Sequence, residues 1–168
     1  ATWRYRGRTP PPEVVAADLW RGVFAQFVVE RRHDGAPLGL VGLTNVSIES
    51  HRAHGFAVGE PSASPLVTEG FGLLCHWAFD QLGFERIYLE APEFNAARFA
   101  SLGEAAVVEG RLRNYEHWRG RYWDLLIMAL TPESFARRTA SLLEARCGAA
   151  AEGSLDELIE QEARHVIA

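Results

Sequence analysis

One stretch, from Phe56 to Leu89, constrains the fold more than any other part of the sequence. It begins with a short β run, Phe56 to Gly59, and continues through a loop rich in turn-forming residues. Ser64 stands at the N-cap position and Pro65 at the first helical position, two residue types that favour a helix start. The sequence therefore predicts a strand followed by a helix that begins at about Pro65.

The predicted helix carries a single apolar stripe. Apolar side chains recur along it at three- and four-residue spacing, namely Val67, Phe71, Leu74, Cys75, Ala78, Phe79 and Leu82. We expect Gly83 to end this helix and Arg86 to Ala91 to form the next strand, with Ile87 and Leu89 on one face. Backbone amides at the N-terminus of such a helix favour a phosphate-bearing ligand, and the alternative is an ordinary crossover helix.

Composition narrows the class of protein. A chain of 168 residues with 48% apolar content suits a single domain, and a formal net charge of -5 argues against general binding to nucleic acid or to a membrane surface. No segment approaches the apolar length needed to cross a bilayer. We interpret Cys75 and Cys147 as free thiols in a reducing compartment, and so expect a cytoplasmic protein. No metal-ligand spacing appears, so we expect no metal site.

Two further pairs of strands are expected on either side of this stretch. Phe24 to Arg31 and Leu38 to Ile48 are predicted to pair antiparallel through a hairpin loop. Glu109 to Trp118 and Arg121 to Leu130 are predicted to form a second hairpin that turns at Arg119-Gly120. Two glycines are predicted to mark a close backbone approach or a bulge, Gly39 and Gly42.

Polar residues gather in the connection that precedes Phe56. Glu49, His51 and His54 all lie there, just ahead of the predicted strand. Histidine titrates near neutral pH and suits a general base, and Glu49 can serve the same purpose through a water molecule. The alternative is that these are solvated turn residues.

Helices are predicted after the central strands. Asn95 is expected to be the N-cap of a short helix through Leu102, and Phe135 to Arg146 to form a longer helix. After a linker, Ser154 and Glu157 form a capping box ahead of a last amphipathic helix. That helix is a packing appendage, the arm of a homodimer, or the start of a longer segment.

Three runs carry a family resemblance: EAPEFNAARF (90–99), EGRLR (109–113) and RGRYWDLLIMAL (119–130). With the order of the predicted elements, they make the chain resemble the GNAT superfamily of acyl-CoA-dependent N-acetyltransferases. The closest resemblance is to the branch that includes the ribosomal-protein N-terminal acetyltransferases. The resemblance extends from about Phe24 to Leu130.

The resemblance implies an α+β fold with a central, mostly antiparallel twisted sheet flanked by helices. Residues 1–130 would form the GNAT-like acyltransferase domain, and residues 131–168 a C-terminal helical extension. The family's first strand and helix have no counterpart in the sequence, and no Met precedes Met128. Both observations predict a domain that is incomplete at its N-terminus.

The resemblance also implies a site. In the family, the strands corresponding to Phe56–Val58 and Arg86–Glu90 splay apart, and the pantetheine arm of acetyl-CoA, or of another acyl-CoA, pairs with the first of them. An amine then attacks the thioester directly, and His54 or Glu49 would be the base here. The implied cofactor-binding positions are Ala57, Val58, Ser62, Ala63, Ser64, Leu66, Asn95 and Phe99.

Two positions depart from the family pattern. Ser62-Ala63-Ser64-Pro65 stands where the family has a basic residue or Gln followed by a glycine-rich run, and Pro65 donates no backbone N–H. Phe99 stands where many members have a Tyr that protonates the leaving thiolate. Ser101, Tyr115 or water would have to replace that Tyr, or the thiolate leaves unassisted.

Two functional hypotheses follow. The first is an N-acyltransferase that acts on the amine of a small molecule or of a peptide N-terminus. The alternative is a catalytically degenerate GNAT-like module that serves binding or carrier docking. Binding of acetyl-CoA distinguishes the two.

Overall fold

A computed structural model describes residues 11–59 and 61–147 of the chain. Its helices are α1 (Pro12–Asp18), α2 (Ser64–Asp80), α3 (Glu93–Ala96) and α4 (Pro132–Cys147). Its strands are β1 (Val23–Glu30), β2 (Pro37–Ser47), β3 (Arg52–Gly59), β4 (Arg86–Pro92), β5 (Val107–Trp118) and β6 (Arg121–Leu130). Two 3-10 segments, Pro61–Ala63 and Ala97–Ala105, precede α2 and follow α3.

The six strands in the described residues form one sheet in the order β1-β2-β3-β4-β6-β5. All neighbouring strands are antiparallel except β3 and β4, which run parallel. A parallel pair needs a long crossover connection, and α2 provides it. The predicted α+β fold with a mostly antiparallel sheet is therefore confirmed.

Helix α2 packs one face of the sheet through the stripe that the sequence predicts. The buried residues of this stripe are Val67, Phe71, Leu74, Cys75 and Ala78. Phe79 and, just after the helix, Leu82 are partly buried and pack against the core. The core residues contributed by the strands include Val41, Leu43, Ile87, Leu89 and Leu130, each at most 2% exposed. Since each buried side chain of this size contributes about 1.5–3 kcal/mol, this layer fixes α2 firmly on the sheet.

The start of α2 differs from the prediction by one residue. Ala63 occupies the N-cap position, Ser64 is the first helical residue, and no side chain caps the helix in the described structure. The reason is that Pro61–Ala63 already forms a 3-10 turn that leads into the helix. Short turns of this kind are common at helix ends and tighten the entry of the chain.

The predicted helix from Asn95 to Leu102 is wrong in both its start and its type. Pro92 is the N-cap of α3 and makes no side-chain capping bond, so Asn95 lies inside the helix. After four residues the chain tightens into the 3-10 segment, which is kinked at Gly103 with φ of 54°. Asn95 therefore caps nothing here.

The predicted hairpins are confirmed. Arg119 and Gly120 have φ of 52° and 78°, which is the pair of positive angles that a two-residue type I′ turn requires. Gly42 lies where a Cβ atom would come within 2.5 Å of the Ala25 carbonyl oxygen, so the predicted close backbone approach is also confirmed. Strand β3 begins at Arg52, earlier than predicted, and His54 consequently lies inside a strand.

Helix α4 confirms the predicted helix from Phe135 to Arg146 and packs against the domain. Its start is closed by a reciprocal pair of bonds: the Thr131 N–H donates to Ser134 Oγ at 3.0 Å, and the Ser134 N–H donates to Thr131 Oγ1 at 3.2 Å. The rings of Phe135 and Phe79 lie 5.8 Å apart. The predicted capping box of Ser154 and Glu157 lies outside the described residues.

Candidate active site

A cleft opens between β3 and β4. The two strands pair at only three positions, and His54 opposite Tyr88 is the last of them. Beyond that point β3 stays paired with β2 as far as Gly59, while β4 stays paired with β6 as far as Pro92. The strands therefore part after His54, as the resemblance implies for this region, although Arg86 to Tyr88 are still paired.

The floor of the cleft lies on α2. A Cβ atom on Gly55, the first residue of β3 past the last pair, would approach Phe71 Cζ of α2 to 2.7 Å. At the far end of β3, a Cβ atom on Gly59 would approach Val67 Cγ2 of α2 to 2.7 Å. The helix thus lies close to the backbone of β3 at both ends of the part that has left β4.

The N-terminus of α2 lies just beyond the open end of β3. The first amides of a helix have no partner within the helix, and no side chain caps α2 in the described residues. These amides carry the positive end of the helix dipole, which favours an anion. Pro65 removes one donor, and the 3-10 turn and first helical turn, from Pro61 to Leu66, contain no basic residue. Within this segment, backbone amides are therefore the donors available to a phosphate.

His54 lies at the closed end of the cleft, on the face of the sheet opposite α2. Its Nδ1 is 3.5 Å from Glu90 Oε1, and its ring lies 5.6 Å from the ring of Tyr88. Glu90 follows Tyr88 by two residues and so shares its face. Both side chains of the pair remain accessible to a substrate, because His54 is 31% and Glu90 is 46% exposed.

Glu49 and His51 lie elsewhere. They belong to the exposed turn that joins β2 to β3, at the end of β3 that is paired with β4. His51 Nδ1 bonds the Gly83 carbonyl oxygen at 3.0 Å, and the His51 carbonyl accepts the N–H of Glu85 at 2.8 Å. The structure therefore gives His51 a structural role and does not bring Glu49 to the cleft.

The remaining sequence-predicted residues lie in two groups. Ala57 and Val58 lie on β3 beside the cleft, and Ser62, Ala63, Ser64 and Leu66 lie in the turn and first helical turn that follow. Asn95 and Phe99 lie beyond β4, where Asn95 is half-buried and Phe99 packs against the core. The backbone of Ser101 belongs to the second 3-10 segment, and its side chain lies outside the described part of the structure.

Sequence reasoning did not single out Glu90, whose carboxylate lies beside His54 in the structure. The available signal was that Tyr88 and Glu90 are predicted to lie on the same face of one strand. Only the pairing of β3 with β4 shows that this face brings Glu90 beside His54. Sequence reasoning also missed the ion pair between Arg86 of β4 and Glu109 of β5, whose side chains meet across β6 at 2.5 Å. The Tyr88 hydroxyl and, after it, the Glu109 carboxylate raise the pKa of the Arg86 guanidinium.

An aromatic cluster lies where β4 and β5 end and β6 begins. Phe94 of α3 stacks on Trp118 at 6.2 Å and meets Trp123 edge to face at 5.1 Å. The Arg121 guanidinium lies over the Trp123 ring at 3.1 Å, and Trp123 Nε1 donates to the Trp118 carbonyl. Since the guanidinium already occupies that ring face, this cluster holds the hairpin against α3.

Other chemistry is limited within the described residues. Burial raises the pKa of the Cys75 thiol, so this cysteine is a protonated core residue. In the same part of the chain, no group of three or more His, Cys, Asp or Glu side chains is arranged to hold a metal ion. None of the helices described there is both long and apolar enough to span a membrane.

No protein-family model matches the sequence, and no curated protein matches it. Solved structures do match the fold. A point mutant of the spermidine N-acetyltransferase SpeG of Vibrio cholerae is 19% identical, with a TM-score of 0.63 over 81% of this chain and 89% of that one. The spermidine/spermine N-acetyltransferase SpeG of the same organism, solved with manganese ions, is 22% identical, with a TM-score of 0.62 over 76% of each chain.

A third structure, of a protein provisionally assigned as an acetyltransferase, is 22% identical, with a TM-score of 0.63 over 87% of this chain and 78% of that one. At these identities the matches show the fold alone. The resemblance to the ribosomal-protein branch stays a prediction. The order of the strands and the parting of β3 from β4 agree with the fold that the sequence resemblance implies. The chain has a GNAT-like α+β fold, the fold of these N-acetyltransferases.

Proposed function

We propose that this protein is an acyl-CoA-dependent N-acyltransferase that moves an acetyl group from acetyl-CoA to an amine. The single observation that carries the proposal is the cleft that begins beyond His54 and Tyr88, with a titratable side chain at its closed end and helix amides beyond its open end. The acceptor is the amine of a small molecule or of a peptide N-terminus. Spermidine belongs in the first panel of acceptors, because the similar solved structures include spermidine N-acetyltransferases.

The residues along the cleft fit an acyl-CoA. The β3 backbone at Ala57 and Val58 would hold the pantetheine arm, because these residues lie past the last pair with β4. The amides of Ala63, Ser64 and Leu66 would hold the pyrophosphate, with Ser62 beside them and Asn95 and Phe99 across the cleft. When bound, acetyl-CoA supplies an activated thioester carbonyl.

His54 would act as the general base. An acceptor amine is largely protonated at neutral pH, and His54 takes one proton from it, which leaves a nitrogen lone pair. That nitrogen attacks the thioester carbonyl, so that a C–N bond forms and the C–S bond breaks. A backbone N–H donor in the cleft would stabilise the negative charge on the carbonyl oxygen.

The second proton of the attacking nitrogen goes to the departing sulfur, directly or through solvent. Phe99 has no proton to give, so Ser101, Tyr115 or water delivers it, or the thiolate leaves first, as its low basicity permits. The products are an amide and a free thiol. The proton held by His54 returns to solvent, which completes the proton balance.

The first experiment is calorimetry with acetyl-CoA on the full chain, where micromolar binding is expected and no detectable binding would overturn the proposal. The second is a thiol-release assay over a panel of amines that includes spermidine and short peptides. We expect the His54→Ala variant to keep acetyl-CoA binding and to lose about 100-fold or more in kcat. His33→Ala is the matched control, because His33 is an exposed residue of the β1 to β2 loop.

A specific observation favours a second function. Phe99 packs against the core and the loop before α2 lacks a basic residue, so both departures from the family pattern persist in the folded protein. A catalytically degenerate binding or carrier-docking module would show no detectable binding of acetyl-CoA and would release no thiol with any amine. Absence of both binding and turnover across the whole panel would favour this module over the enzyme.

A further inference from the structure

We propose that Glu90 is the positioning residue for His54: it binds Nδ1–H of the imidazole and leaves Nε2 as the nitrogen that takes the proton. This inference rests on the proposed function and deepens it. It assigns a role to a carboxylate that the mechanism above does not use. The observation behind it is the approach of His54 Nδ1 to Glu90 Oε1, at 3.5 Å.

The backbone brings these two residues together at a particular place. His54 and Tyr88 are the last pair between β3 and β4, and Glu90 lies two residues further along β4. Its side chain therefore reaches back to β3 at the closed end of the cleft, from the part of β4 that has already left β3. The contact joins β3 to β4 just where their backbone hydrogen bonds stop.

The distance suits a positioning role. A value of 3.5 Å is longer than an N–H···O hydrogen bond, and a small rotation of either side chain closes it. Hydrogen bonds between catalytic groups are often long without substrate and tighten when substrate binds. The His54 carbonyl accepts the Thr44 hydroxyl at 3.4 Å, so the backbone that carries the imidazole is also tied to β2.

The chemistry follows from the two ring nitrogens. In neutral imidazole one nitrogen carries the proton and the other accepts, and the partner of one nitrogen decides which is which. A carboxylate at Nδ1 holds the proton there, so Nε2 has a free lone pair for the acceptor ammonium. When Nε2 takes that proton, the carboxylate also stabilises the resulting imidazolium.

The alternative role for Glu90 is that of the general base, because an exposed carboxylate can itself take the proton from the acceptor amine. The two roles predict opposite results. If Glu90 positions His54, His54→Ala is the more damaging change and Glu90→Gln is tolerated in part, since the Gln carbonyl still accepts Nδ1–H. If Glu90 is the base, Glu90→Gln is the more damaging change.

The first test needs no activity. Histidine labelled with ¹⁵N, observed by NMR in the full chain while His54 is neutral, reports which ring nitrogen carries the proton. We expect Nδ1–H in the wild type and in Glu90→Gln, and a mixture of the two tautomers in Glu90→Ala. A wild-type ring protonated at Nε2, or a tautomer unchanged in Glu90→Ala, would overturn the proposal whether or not the protein is an acyltransferase.

The second test uses turnover. We expect Glu90→Ala to lower kcat by about 10- to 100-fold with KM for acetyl-CoA unchanged, and Glu90→Gln to lower it less. Glu109→Gln is the matched control, because Glu109 pairs with Arg86 rather than with a histidine. If the wild type turns over and Glu90→Ala retains its kcat, the positioning role is wrong and the proposed function stands. If the wild type binds no acetyl-CoA, the proposed function fails and the tautomer still decides the pairing.

Discussion

His54 of β3 and Tyr88 of β4 are the last two residues that pair between these strands. Past them, each strand keeps its other neighbour: β3 stays with β2 and β4 stays with β6. The cleft is therefore a consequence of how the strands pair in the sheet. It also places the candidate base at the point where the space begins.

The first prediction concerns charge at the N-terminus of α2. Ser62 is exposed in the 3-10 turn that leads into the helix. Ser62→Asp places a negative charge where we propose that the pyrophosphate lies, so we expect acetyl-CoA affinity to fall about tenfold in calorimetry. The same charge favours the helix dipole, so thermal stability should hold or rise by about 0.3–1 kcal/mol.

Ser62→Arg is the matched opposite. It restores a basic residue at a position where the resemblance expects one, so acetyl-CoA affinity should rise while the helix gains nothing from the charge. Equal affinities in the two variants would show that the phosphate does not bind at this helix end. Opposite signs for binding and stability in Ser62→Asp exclude misfolding as the cause of weaker binding.

The second prediction concerns the contact of β3 with α2. In Gly55→Ala the new methyl group would lie 2.7 Å from Cζ of Phe71, a fully buried ring that has little room to move. We expect a loss of about 1–3 kcal/mol in the free energy of unfolding, measured with urea. Acetyl-CoA binding should weaken as well, because β3 would shift beside the cleft.

Gly72→Ala is the control for this change. Gly72 is a helical residue of α2, and an added Cβ would come no closer than 4.0 Å to Phe135. A glycine in the middle of a helix costs about 0.5–1 kcal/mol relative to alanine, so this variant should be more stable than the wild type. A Gly55→Ala variant as stable as Gly72→Ala would mean that β3 and α2 are not in close contact.

The sequence predicted those parts of the fold whose signals are local. The apolar stripe of α2 and the Arg119-Gly120 turn each depend on residues close together in the chain, and both were correct. The start of α2 and the nature of the Asn95 segment were misassigned, because a preceding Pro61–Ala63 turn and Pro92 took over the helix starts. Local capping preferences are weak compared with these constraints of the chain.

The parting of the two strands was predicted only through the resemblance, and the candidate bases came from the polar connection before Phe56. His54 and Glu49 were equal candidates from the sequence, since both are titratable residues in one polar connection. What separated them is that β3 begins at Arg52, which places His54 inside the strand and leaves Glu49 in the turn. The contact with Glu90 depends on pairing across residues far apart in sequence, which composition and periodicity do not contain.

The third prediction concerns how α4 is attached. Ser134 is 5% exposed, and its hydroxyl donates to the Ala105 carbonyl at 2.9 Å while it accepts the Thr131 N–H. Ser134→Ala removes the hydrogen-bond partner of the buried Ala105 carbonyl and of the partly buried Thr131 N–H, so we expect a loss of about 1–3 kcal/mol in urea unfolding. Ser50→Ala, at an exposed turn residue, should change the stability by less than about 0.5 kcal/mol. Equal losses of stability in the two variants would mean that the Ser134 hydroxyl does not hold α4 on the folded core.

The last prediction concerns the bulge in β5. Asn114 has φ of 51° and lies between Leu112 and Glu116, where the register against β6 shifts. The Asn114 N–H donates to Asp124 Oδ1 at 3.0 Å, and the Arg111 guanidinium donates to Asp124 Oδ2 at 3.0 Å. The Asn114 N–H and, after it, the Arg111 guanidinium lower the pKa of the Asp124 carboxyl.

The sign of the pH effect follows from that shift. A carboxyl whose folded pKa lies below its unfolded value, about 3.9 for Asp, stabilises the fold at higher pH and loses that contribution as the pH falls towards the folded pKa. Asp124→Asn should therefore be less stable than the wild type at about pH 7, and this deficit should be smaller at about pH 3, below the unfolded pKa. Urea unfolding at both values measures this, with Glu85→Gln at an exposed position as the charge control. A deficit of Asp124→Asn that stays constant with pH would mean that the carboxylate charge does not hold the bulge.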